Sequence, residues 1–263
     1  MADGRPAPLL RRMVAELVGT AFLVTAVVGS GIAAQRLSPG DVGLQLFENA
    51  AATAAALVAV ILAVGPVSGA HLNPAVTIVD RVFGGLPTRD AAGYLVAQFV
   101  GGGLGSIVAN LMFSLPALQW STTSRTGSGL WLGEAVATLG LLLVVFGVVR
   151  AGRPGVAPFA VGAYIGAAYF FTSSTSFANP AVTMARTLTD TFAGIRPSSA
   201  PAFVAFQLLG AALAVGLLRT LYPTVGEVAP DVVVPHTGPS SDSRDGRDGP
   251  DDPELRPAPD ADH

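Results

Sequence analysis

Asn73-Pro74-Ala75-Val76-Thr77 recurs letter for letter as Asn179-Pro180-Ala181-Val182-Thr183. An identical string in the two halves of one chain marks an internal repeat. Asparagine is a favoured helix N-cap, and proline fits the first helical turn, where its missing N–H is not needed. Each copy therefore reads as the start of a short helix. Each follows a turn-rich or polar run inside strongly apolar sequence: Gly65-Pro66-Val67-Ser68-Gly69-Ala70-His71-Leu72 before the first, and Thr172-Ser173-Ser174-Thr175-Ser176-Phe177-Ala178 before the second. A half-helix that begins at membrane depth aims its unpaired N–H groups and the positive end of its dipole at the bilayer centre. Such backbone is tolerated there only where protein buries it or it lines a wet cavity. Two half-helices, one per half, predict a pore or a central binding site.

Composition agrees with a membrane setting. Hydrophobic residues make up 51% of the 263 and charged residues 13%, about half the charged share of a soluble domain. There is no cysteine, which excludes disulfides and thiolate chemistry. All 15 basic residues are Arg, which we read as coding bias. The three His, at 71, 236 and 263, are too scattered for a metal site. No Ser-His-acid set supports an enzyme, and neither a cofactor nor a nucleic-acid partner is expected. The first apolar run is long and lacks an A-x-A-like site, so it reads as a retained span.

Taken outward from the repeats, residues 1–12 form a short polar segment with Arg5, Arg11 and Arg12. Spans are expected at about 13–34, 44–64, 91–113, 130–149, 156–171 and 202–221. The half-helices run from Pro74 to about Gly84 and from Pro180 to about Asp190. The order is span, span, half-helix, span, in repeats of about 13–113 and 130–222, with Glu16 recurring as Glu134. Three spans per half put the halves in opposite orientations. Residues 223–263 read as an acidic tail too poor in apolar surface to fold; its acids lack the ordered ladder of a calcium loop. Gly101-Gly102-Gly103 and Gly105 suit close helix approach in lipid rather than phosphate binding. The Arg distribution near the span ends places both termini in the cytoplasm.

Glu16-x-x-Gly19-Thr20, Ser68 to Thr77, Gln98, Glu134 and Asn179-Pro180-Ala181 together resemble the aquaporin, or major intrinsic protein, family over about 13–222. The resemblance implies an all-α bundle of six transmembrane helices plus two re-entrant half-helices. It also implies a homotetramer in the plasma membrane, with one pore per protomer. In that reading Asn73 and Asn179 cap the half-helices and donate to passing water, while Glu16 and Glu134 are structural acids that accept from the re-entrant loops.

The second motif departs from the family pattern. Most members follow Asn-Pro-Ala with Arg, and glycerol facilitators with Arg-Asp, whereas this chain has Val182 and Thr183. The next arginine is Arg186, one turn on, which either lines a vestibule or snorkels to the interface. By spacing against the family, the other filter positions are Thr53, Ser176 and either Tyr169 or Ala167, with Tyr169 preferred because loops absorb deletions more readily than spans. A filter of Thr53, Tyr169, Ser176 and Val182 is wide and weakly charged. His71 lies beside the pore or packs a loop. The flanking residues resemble those of a bacterial aquaglyceroporin-like group associated with arsenic resistance. The expected solutes are water, glycerol-like polyols and neutral arsenite. The alternatives are a strict water channel and a proton-coupled transporter; the latter would need titratable groups at the midplane, where the matching pair is Asn.

Overall fold

The computed structural model describes residues 7–223; most of the expected acidic tail and residues 1–6 lie outside that range. Eight α-helices follow in order: α1 Leu9–Leu37, α2 Val42–Ser68, α3 Pro74–Phe83, α4 Thr88–Met112, α5 Ser128–Arg150, α6 Ala157–Phe171, α7 Pro180–Ala185 and α8 Ala200–Leu221. Six elements are long and apolar enough to cross a bilayer; the two short helices, α3 and α7, begin at the repeated motifs.

The halves are inverted. Near the start of α1, Arg12 pairs with Asp90 at the start of α4, at 2.6 Å. At the other end of α1, the Gln35 side chain accepts from the Phe192 N–H (2.9 Å), close before the start of α8. The starts of α1 and α4 thus share one face, here the near face, and the start of α8 lies on the far face. Small residues set the helix spacing. A Cβ on Gly101 would collide with the Leu17 carbonyl, and one on Gly210 with the Ala135 carbonyl. Gly162 and Gly166 turn towards Ala54 on α2. Many large apolar side chains, such as Phe22, Phe47, Phe99 and Leu213, stand exposed around the bundle, as a lipid-facing surface requires.

Several boundaries differ from expectation, and helix α1 also runs on to Leu37, past 34. The first helix begins at Leu9 and not at 13, because Arg12 is buried by its partners: Nε donates to the Ala7 carbonyl and Nη2 to Asp90. Helix α2 runs through Pro66 instead of ending at 64. Proline there forfeits only the bond to the carbonyl four residues back, and the helix stops at Gly69, whose φ of 84° closes it left-handed. Helix α4 starts at Thr88, earlier than 91. The second half-helix ends at Ala185, followed by a 3-10 turn at Arg186–Leu188, short of Asp190. Here the Thr187 and Leu188 carbonyls accept from Ser121 and Gln119 of the 113–127 connection, which replaces the next helical turn.

Candidate functional site

Each half-helix is held by a buried carboxylate. Glu16 accepts from Ser68 Oγ (2.7 Å), the His71 N–H (2.9 Å), the Leu72 N–H (2.7 Å) and Gln98 Nε2 (2.8 Å). Glu134 accepts from the Phe177 and Ala178 N–H groups (2.9 Å each) and from Gln207 Nε2 (2.5 Å). Gln98 and Gln207 also donate to the last residue of each motif, Thr77 and Thr183. The loops need such anchors because their backbones are unusual. Ala70, Leu72, Ser176 and Ala178 have φ between 47° and 54°, a left-handed conformation that costs non-glycine residues free energy.

The two asparagines meet back to back. Asn73 Oδ1 caps the Ala75 N–H (2.9 Å), and Asn179 Oδ1 caps those of Ala181 and Val182 (3.0 and 3.2 Å). Asn73 Nδ2 donates to the Ala178 carbonyl and Asn179 Nδ2 to the Leu72 carbonyl, each at 2.8 Å. A primary amide has two N–H donors, so one on each side chain remains for the cavity that both asparagines line.

That cavity is lined by Thr53, His71, Asn73, Tyr169, Ser176, Asn179, Val182 and Arg186 together with apolar side chains that include Leu57, Ile61, Val145 and Ile165. Among the described residues its lining contains no Asp or Glu. Tyr169 lines the cavity and donates to Thr53 Oγ1 at 3.2 Å; Ala167 is exposed on the outside of α6. Ser176 Oγ, though buried, bonds no group among the described residues, which leaves it free for a solute. Pro74, Ala75, Pro180 and Ala181 are buried behind the asparagines. Thus Thr53, Tyr169, Ser176 and Val182, the positions expected for a filter, line one cavity with both motif asparagines. Among the described residues no cluster of His, Asp or Glu could hold a metal ion.

At the far end Arg186 is 2% exposed. It does not snorkel. Its Nε donates to the Ala193 carbonyl, and its guanidinium lies over the Phe177 ring with Cζ 3.4 Å from the centroid. Arg125 reaches the same ring at 5.2 Å and donates to the Gly194 and Phe192 carbonyls (2.9 and 3.1 Å). Burial lowers the Arg125 pKa, with the Glu134 charge opposing. At the near end His71 Nδ1 bonds Thr77 Oγ1 (3.1 Å), its ring meets Tyr94 edge-on (5.3 Å), and Nε2 lies 3.8 Å from Asp80. Asp80 Oδ1 is buried and has no hydrogen-bond partner among the described residues.

Sequence reasoning missed Gln207, Phe177, Asp80 and Arg125. Gln207 had a signal: Gln98-x-x-Gly101 and Gln207-x-x-Gly210 repeat the same spacing. Asp80 had one too, since it stands at the same distance from its motif as Arg186 does from the other. Arg125 had none, because its partners depend on how the connections fold.

The profile of the major intrinsic protein family matches residues 5–178 and 156–243. Aquaglyceroporin AqpS of Rhizobium meliloti is 49% identical over 227 residues, covering 85% of this chain and 97% of that protein. The probable aquaporin AqpM of Archaeoglobus fulgidus is 32% identical, covering 81% and 97%. The solved aquaglyceroporin from Plasmodium falciparum superposes with a TM-score of 0.67 at 22% identity, over 83% of this chain and 99% of that one, a likeness of fold. With its doubled motif, six apolar spans and these matches, the chain belongs to the major intrinsic protein family.

Proposed function

We propose that this chain is a passive membrane channel for water, glycerol-like polyols and neutral metalloid acids such as As(OH)3. The observation that carries the reading is Val182, an uncharged side chain lining the cavity beside Thr53, Tyr169 and Ser176. A fixed cation at that level would narrow the passage and add a charge barrier. With the cavity's arginine, Arg186, set four residues further on, the wall at Val182 offers hydroxyl groups for a polyol and an apolar face for its carbons. The similarity to an aquaglyceroporin over most of both chains supports the same solute class.

Protons and cations are refused at the centre. Both half-helix dipoles place positive potential there, and a water that accepts from Asn73 and Asn179 turns its own hydrogens outward. Proton coupling finds no carboxylate in the cavity lining, which favours a channel over a transporter. The Arg distribution supports cytoplasmic termini, so the far end, with Arg186, is the outer mouth. The family likeness supports a homotetramer in the plasma membrane, testable by the detergent-corrected mass. The expected channel domain of about 13–222, after a short first segment and before the acidic tail, is supported by helices that run from Leu9 to Leu221.

Val182→Arg is expected to cut glycerol and As(OH)3 uptake into proteoliposomes by about tenfold, the scale of one unfavourable charged contact, while water flux persists. Unchanged glycerol and As(OH)3 uptake contradicts the filter reading.

A further inference from the structure

The outer mouth holds a buried arginine, Arg186, and a half-buried one, Arg125, on one aromatic ring, and their hydrogen bonds interleave. Arg125 Nη2 and Nε take the Phe192 and Gly194 carbonyls. Arg186 Nε takes the carbonyl between them, Ala193. The Arg186 carbonyl in turn accepts from the Ile195 N–H at 3.2 Å. Arg125 is itself tied down, since its N–H donates to Ser199 Oγ at 3.2 Å. The terminal nitrogens of Arg186 bond no protein group among the described residues, and its side chain lines the cavity. A guanidinium is a planar fork, so fixing Nε and one stacked face fixes where the other donors point. For Arg186 those two constraints are the Ala193 carbonyl and the Phe177 ring; Arg125 lies over the same ring and holds the two carbonyls that flank Ala193.

We propose that Arg125 is a positioning residue for solute selection: through the 192–194 carbonyls and Phe177 it sets the direction in which Arg186 presents its free donors to the solute. The proposal rests on the reading of Val182 and Arg186 as lining the solute filter. It predicts that the fork, not the charge alone, matters. A lysine at 125 keeps the positive charge near Arg186 but cannot bridge carbonyls two residues apart with a planar pair of donors.

The test is the glycerol-to-water permeability ratio of full-length protein in proteoliposomes, a quantity independent of how much protein inserts. Arg186→Gln is expected to raise the ratio roughly three- to tenfold, the scale of one lost hydrogen-bond donor. Arg125→Lys and Arg125→Gln are expected to raise it similarly, and Arg125→Gln combined with Arg186→Gln to go no further than Arg186→Gln alone. If Arg125→Gln does not assemble, the milder Arg125→Lys carries the test. A shift with Arg186→Gln but none with either Arg125 variant overturns the positioning role and leaves the filter reading standing. A silent Arg186→Gln overturns the filter reading itself. A normal ratio with Arg125→Lys and an altered one with Arg125→Gln assigns the effect to charge and overturns the proposal. Effects that multiply in the double variant also overturn it, because Arg125 would then act without Arg186.

Discussion

In the first re-entrant loop the residue two before the motif asparagine is His71, and in the second it is Phe177. Both give their backbone N–H to the buried acid of their half, Glu16 or Glu134. Their side chains do different work. His71 bonds Thr77 and approaches Asp80, whereas Phe177 is a platform for Arg186 and Arg125. Asp80 and Arg186 are themselves equivalent positions of opposite charge. The repeat is thus kept in the buried acids, the left-handed loops and the motifs that meet at the centre, and abandoned in the side chains towards the two ends. The scaffold needs the same anchor twice, but a pore with two mouths can use a different lining at each.

The largest expected effect tests the shared part. Glu16→Ala and Glu134→Ala each orphan two buried backbone donors and a glutamine amide, at about 1–3 kcal/mol per group. Both variants should lose several degrees or more of unfolding midpoint in detergent, by similar amounts. A silent member of the pair would break the equivalence. Next, Gly101→Ala and Gly210→Ala force a methyl against the Leu17 and Ala135 carbonyls, costing about 1–3 kcal/mol each in the same assay. Asn73→Asp and Asn179→Asp place a negative charge at the point where the two dipoles meet. Each should admit a measurable cation current in planar bilayers, with equal effect from either side of the pair; an undiminished cation barrier would mean that the dipoles suffice. The smallest effect sharpens the difference. His71→Phe copies the second loop into the first and removes the bond to Thr77 Oγ1, about 1 kcal/mol for one hydrogen bond. It should leave the unfolding midpoint nearly unchanged while altering water flux, and a large stability loss would show that His71 anchors the loop.

Much of the architecture was legible because its signals are local. An asparagine before a proline names a helix start wherever it occurs, and apolar runs of the right length name spans. Glu16 and Glu134 stood out as acids at matching places in otherwise apolar helices. What escaped notice depends on contacts made across the fold. Pro66 reads as a break, yet the helix carries it because the next turn is already the last. The end of α7 is decided by donors from the 113–127 connection. Arg186 could be assigned to the mouth or to the interface until Phe177 and the Ala193 carbonyl were seen to receive it.

The central claim is a passive pore wide enough for more than water, and one measurement addresses it most directly: stopped-flow light scattering of proteoliposomes exposed to water, glycerol and As(OH)3 gradients, with and without a proton gradient. The account predicts flux of all three solutes, unchanged by the proton gradient. Water flux alone would contradict the wide filter, and solute flux that requires the proton gradient would contradict the channel.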